Sequence, residues 1–112
     1  MKINTALCLL GITMFSGTVY ANNNYGFCIA SFYDKGDRQV TNTFFVEDPL
    51  NTYKIDPVFS SYIRQKEGSV DGAFCRFDKT KQGIEEQRNK AIQQNRELGR
   101  VVEIINWSFN GK

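Results

Sequence analysis

Apolar and polar positions change period several times along the chain, and each change marks an element. Residues 25–33 (YGFCIASFY) are dense in aromatic and β-branched side chains, as a strand requires. Asp34, Lys35, Gly36 and Asp37 follow, residues of the kind that build tight turns. A second strand-like run, 39–47 (QVTNTFFVE), completes the pattern of an antiparallel hairpin.

Beyond a connection over 48–55 the period becomes helical. Asp56 and Pro57 supply a capping acid and a first-turn proline. Val58, Phe59, Tyr62, Ile63 and the stem of Lys66 then recur at helical spacing until Gly68 offers a stop. Residues 73–77 make a short strand. Ile84, Ala91, Ile92 and Leu98 stripe one side of a second helix over 82–98, capped by Asp78 or Thr80 and ended by Gly99. Glu86 and Lys90 form a favourable surface pair on it. Gly83 is awkward in its first turn, because glycine costs about 1 kcal/mol relative to alanine in a helix. Residues 100–109 (RVVEIINWSF) form the last strand.

The order β-β-α-β-α-β predicts a small single α+β domain, with two helices packed on a four-stranded, largely antiparallel sheet. Alternation along the strands assigns faces. Cys28, Ala30 and Phe32 point one way, and Phe27 and Ile29 the other. Phe44 opposes Phe45, while Val101, Ile105, Trp107 and Phe109 oppose Val102 and Ile104. Two helices on one face would leave the second face apolar and open, and such a patch marks an interface. On that expectation Phe27, Ile29, Phe45, Val102 and Ile104 are candidates for binding a protein partner or a second copy of the chain.

The first residues add a location. Lys2 precedes an apolar run over 6–15 that is too short to span a bilayer. It leads to Val19-Tyr20-Ala21, with small residues at −3 and −1 of a cleavage point. This is the pattern of a secretory signal peptide over 1–21, cut after Ala21, and it predicts a periplasmic or secreted product. Cys8 follows Leu7, where lipid attachment needs a small residue, so Cys8 is expected to leave with the signal. The mature domain would run over 22–112, with no further apolar segment and so no membrane span. Removing Lys2 from 14 basic residues leaves 13 against 12 acidic, a net charge of about +1. Such balance argues against a dedicated polyanion binder. Cys28 and Cys75 remain, an even pair expected to form a disulfide in an exported small domain.

The chain has no histidine. That removes Ser-His and Cys-His nucleophile pairs and imidazole metal ligands. Two cysteines alone do not make a zinc site, so no metal and no cofactor are expected. A catalytic Cys75 would need a base or a cationic pocket, and Arg76 points to the opposite face of a strand. Asp34/Asp37 and Glu85/Glu86 are the acid pairs a small hydrolase would need, yet they are also ordinary turn and first-turn helix residues. The stretch 34–37 is too short for a calcium loop.

Residues 73–77 (AFCRF) resemble the end of the aromatic strand motif of RNA-recognition domains. Upstream, however, Val70, Asp71 and Gly72 stand where that motif has a basic residue, a glycine and an aromatic. No nucleic-acid partner is expected, and Phe74 and Phe77 read as sheet core. Asn106-Trp107-Ser108 fits a glycosylation sequon inside a strand, where it reads as coincidence, with Trp107 in the core. Arg88 and Asn95 edge the second helix's stripe, with Arg88 snorkelling to solvent.

These readings predict an exported, non-catalytic protein that binds another protein, such as a periplasmic inhibitor or an immunity protein against a secreted toxin or envelope enzyme. The alternatives are a small secreted hydrolase using carboxylates, or an envelope module, structural or ligand-binding, with a pocket between helix and sheet.

Overall fold

A computed structural model describes residues 24–47 and 49–109, with the side chains of 49–51 excepted; the segment read as a signal peptide lies outside them. β1 (Tyr25–Phe32) is the middle of a mixed, curled sheet. β4 (Gly72–Asp78) lies antiparallel along one whole edge of it, from Tyr25↔Asp78 to Ser31↔Gly72. β2 (Asp37–Thr41) and the short β3 (Phe44–Phe45) therefore share the other edge, both antiparallel to β1. β5 (Val101–Ile105) completes the sheet, parallel to β2. The hairpin turn over 33–36 closes with the Gly36 N–H donating to the Tyr33 carbonyl at 3.2 Å.

The run expected as one strand over 39–47 is broken at Asn42 and Thr43. Thr41 is fully buried, and its hydroxyl accepts from the Cys28 N–H at 2.9 Å and donates to the Asn42 carbonyl at 2.8 Å. A side chain has replaced the ladder there, so β2 ends and β3 resumes with Phe44 buried and Phe45 exposed.

Asp56 does not cap α1 (Ile55–Glu67). A 3₁₀ helix, Pro49–Lys54, occupies the expected connection and runs straight into α1, so Lys54 is already helical and makes no side-chain cap. The Asp56 carboxylate instead accepts from the Cys75 N–H at 2.9 Å, tying α1 to β4.

α2 (Lys81–Glu97) is capped by Thr80, whose hydroxyl accepts from the Gly83 N–H at 2.9 Å. Asp78 braces this cap, accepting from the Thr80 N–H and hydroxyl at 3.2 Å each. Gly83 is explained by the same brace: a Cβ there would fall 1.9 Å from Asp78 Oδ2 and 2.8 Å from Thr80 Oγ1. Gly83→Ala is therefore expected to yield none of the roughly 1 kcal/mol that alanine normally contributes inside a helix, because Asp78 must leave the cap. In an Asp78→Ala background the same substitution should recover part of that gain, since only the 2.8 Å approach to Thr80 Oγ1 remains. A double-mutant cycle by urea unfolding checks it, and equal gains in both backgrounds would refute the steric account.

β5 ends at Ile105, and residues 106–108 leave the sheet. Trp107 turns into the core, with ring centroids 5.0 Å from Phe59 and 5.8 Å from both Phe44 and Tyr62.

The two helices cover opposite faces. Ile55, Phe59 and Ile63 of α1 pack with Cys28, Ala30, Phe44 and Ile105 on one side. Ile84 and Ile92 of α2 pack with Phe27, Ile29 and Val40 on the other. The topology requires this. α1 carries the chain across β1 to β4, and α2 carries it back across β1 and β2 to β5. Crossovers of the usual right hand, made in opposite directions, land on opposite faces. The Cys28–Cys75 disulfide joins directly opposed residues of β1 and β4 on the α1 side.

Candidate functional site

The expectation of an open second face is overturned, because α2 closes it. Phe27 and Ile29 are buried beneath that helix at 0 % and 5 % exposure. Val102 packs half-buried against the same cluster. Phe45 and Ile104 stay exposed, at 54 % and 43 %. Phe45 meets Tyr25 edge to face at 5.5 Å. Ile104 lines a shallow hollow with Arg88, Ile92 and Arg96; Leu98 and Val101, earlier in the chain, are also exposed, Val101 on the opposite face of β5.

The two outermost strands differ. An outward-facing donor of β4, the Cys75 N–H, is taken by Asp56. β5 is the last strand on its side, with no strand among the described residues pairing its outer edge.

The acid pairs do not converge. Asp34 is exposed in the hairpin turn, and Glu85 and Glu86 are exposed on α2. Asp37 instead lines a small hollow with Glu67 and Glu103. Gln39, nearly buried, bridges the latter two, donating to Glu67 at 3.0 Å and to Glu103 at 3.2 Å. That hydrogen bond, followed by the nearby Lys66 and Lys35, lowers the Glu67 pKa against an opposing desolvation, which favours the charged form over a proton donor. Among the described residues no group of three acid or cysteine side chains is placed to hold a metal ion. No helix among them is long and apolar enough to cross a membrane.

Arg88 does not snorkel. Its Nε donates to the Thr41 carbonyl at 2.7 Å, where β2 ends, and burial lowers its pKa while Glu85 raises it. Asn95 donates to the Ala91 carbonyl at 2.8 Å and accepts from Arg100 at 3.0 Å, so the two polar residues at the stripe's edge serve separate local bonds. Asn106 sits exposed past β5 rather than inside a strand, accepting from Asn42 at 3.4 Å. Phe77 packs half-buried on the α1 side, but Phe74 is 38 % exposed on the other and not core.

Phe74 belongs to a groove of about 500 Å³ between α2 and the β1–β4 part of the sheet. Ile29, Phe74 and Ala91 give it apolar surface, and Arg38, Arg76 and Lys90 give it charge, with Ser31, Gln87, Gln94 and Asn95 around them. Arg38 is only 8 % exposed, although it lies under a thin cover rather than deep in the core. Its Nη1 donates to the Asp37 carbonyl at 2.9 Å and its guanidinium lies 5.7 Å from the Tyr33 ring centre. Burial first, and then Arg100, lower its pKa; Tyr33 and Asp37 act the other way. The Arg76 guanidinium lies over Phe74 at 5.3 Å. Among the described residues the ion pair within 4.0 Å is Lys66–Glu67, so none of the three groove cations has a carboxylate at that distance.

Sequence reasoning missed these cations, although a signal exists. Arg38 shares alternation with Val40, and Arg76 with Phe74, so each is a basic residue at an inward strand position. Comparison with protein-family models, with curated proteins and with solved structures gave no match to this chain.

Proposed function

We propose that this is an exported, non-catalytic protein that acts by binding another protein, in the manner of an inhibitor or immunity protein. The observation that carries the reading is the outer edge of β5, which no strand among the described residues pairs, with Val101 and Ile104 exposed on opposite faces of the strand and Leu98 just before it. Exposed edges invite strand addition, and native folds blunt the edges they do not use. Here Asp56 blunts β4, while β5 keeps apolar side chains. Export is supported by the N-terminal leader pattern and by the cystine, which persists in oxidising compartments.

The test is capture of tagged protein, expressed with its own leader and mildly cross-linked in envelope and medium, followed by mass spectrometry. One stoichiometric protein partner is expected with the native sequence. Ile104→Lys should reduce its recovery about tenfold, as for a buried apolar anchor, without changing the melting temperature. Undiminished capture by Ile104→Lys would remove β5 from the interface, and no partner at all would defeat the reading.

A further inference from the structure

We propose that the groove between α2 and the β1–β4 part of the sheet binds a small organic anion, a carboxylate or phosphate group carried on a short apolar body. The site is separate from β5 and stands independently of the protein-binding reading.

A guanidinium offers five N–H donors and keeps its charge, and burying it is costly unless the charge is matched. Arg38 is 8 % exposed, yet its one hydrogen bond goes to a neighbouring carbonyl and its other contact is the Tyr33 ring. Arg100 adds a second positive charge nearby, and the opposing pull of Tyr33 and Asp37 is smaller, so burial and repulsion together prevail. An anion in the groove would supply the missing partner.

The rest of the groove matches such a guest. Arg76 and Lys90 line it with Arg38, and no acidic side chain does. The Arg76 guanidinium is already positioned over Phe74, which limits the freedom lost on binding. Ile29, Phe74 and Ala91 form an apolar wall that a bare inorganic ion would leave unused. A volume of about 500 Å³ falls within the usual range of small-ligand pockets and is too small for a polymer. With 14 basic and 12 acidic residues overall, the positive field is local, which suits a compact anion better than a nucleic acid.

The experiment is an amide NMR titration of the disulfide-bonded protein at constant ionic strength. The probes are phenyl phosphate, benzoate, inorganic phosphate and benzyl alcohol. Phenyl phosphate and benzoate should give saturable shifts at Ser31, Arg38, Phe74, Arg76 and Ala91 below about 10 mM, an affinity ordinary for so small a ligand. Inorganic phosphate should bind at least about tenfold more weakly, and benzyl alcohol should leave these amides unmoved. Arg76→Gln, an exposed substitution, should weaken phenyl phosphate about tenfold. Arg38→Met should abolish binding while leaving the protein at least as resistant to urea, because it removes an unmatched charge. The proposal is overturned by shifts that never saturate or that spread over surface lysines and arginines. It is equally overturned by benzyl alcohol matching the anions, by unchanged affinity in Arg76→Gln, or by Arg38→Met unfolding the protein as the loss of a purely structural arginine would.

Discussion

Reducing the Cys28–Cys75 disulfide, or replacing both cysteines with alanine, is expected to destabilise the fold by about 4 kcal/mol. The two residues are 47 apart in sequence, so the bond removes a large loop-closure entropy from the unfolded chain. A domain of this size holds only about 5–15 kcal/mol in total, which makes the disulfide a major part of it. With an m-value of about 1.2 kcal/mol/M, the urea midpoint should fall by roughly 3 M. The position of the bond argues that its effect is exerted on the unfolded state. Cys28 and Cys75 already face one another inside the β1–β4 ladder, so that pairing needs no bond to place it once folded. A loss under about 1 kcal/mol would mean that the reduced chain keeps β1 and β4 together when unfolded, leaving the bond little entropy to remove.

The faces of the strands were legible in the sequence because alternation is a local property of the backbone. Phe44 against Phe45 and Val102 against Ile105 fall on the sides that alternation assigns. Both helices lie within a residue or two of their expected spans, since each carries a clear apolar stripe and an end signal. Strand order was not legible, because it depends on which edges meet after the chain has folded back. That one gap misplaced Phe27 and Ile29, which are buried only because α2 crosses to the other face. The errors at Asp56, Thr41 and Arg88 share another cause. Each polar side chain serves the backbone of a distant element: Asp56 serves Cys75, Thr41 serves Cys28, and Arg88 serves Thr41. Short-range rules assign such groups to local caps and solvent. The groove cations lie between these cases, since their facing was readable but the cavity above them was not.

Phe59→Ala should cost about 3–5 kcal/mol, a loss comparable with that of the disulfide. Phe59 has no exposed surface and stands between Ile55 and Ile63 on α1, whose three buried residues these are. A helix of 13 residues is marginal in water without tertiary packing, so the loss of its central anchor bears on the whole element. The readout is specific because the chain has one tryptophan and Trp107 lies 5.0 Å from the Phe59 ring. Phe59→Ala should lower the urea midpoint and shift native-state Trp107 emission to the red as water reaches the indole. Phe27→Ala should destabilise by a similar amount, for Phe27 is equally buried, but without moving that emission, because its cluster lies across the sheet. If both variants shift Trp107 alike, the sheet does not isolate the two packed faces. If Phe59→Ala alone does, the α1 face yields on its own, and with it goes the Asp56 bond that covers the outer edge of β4. Self-association of Phe59→Ala under native conditions, absent in Phe27→Ala, would then identify that newly uncovered edge.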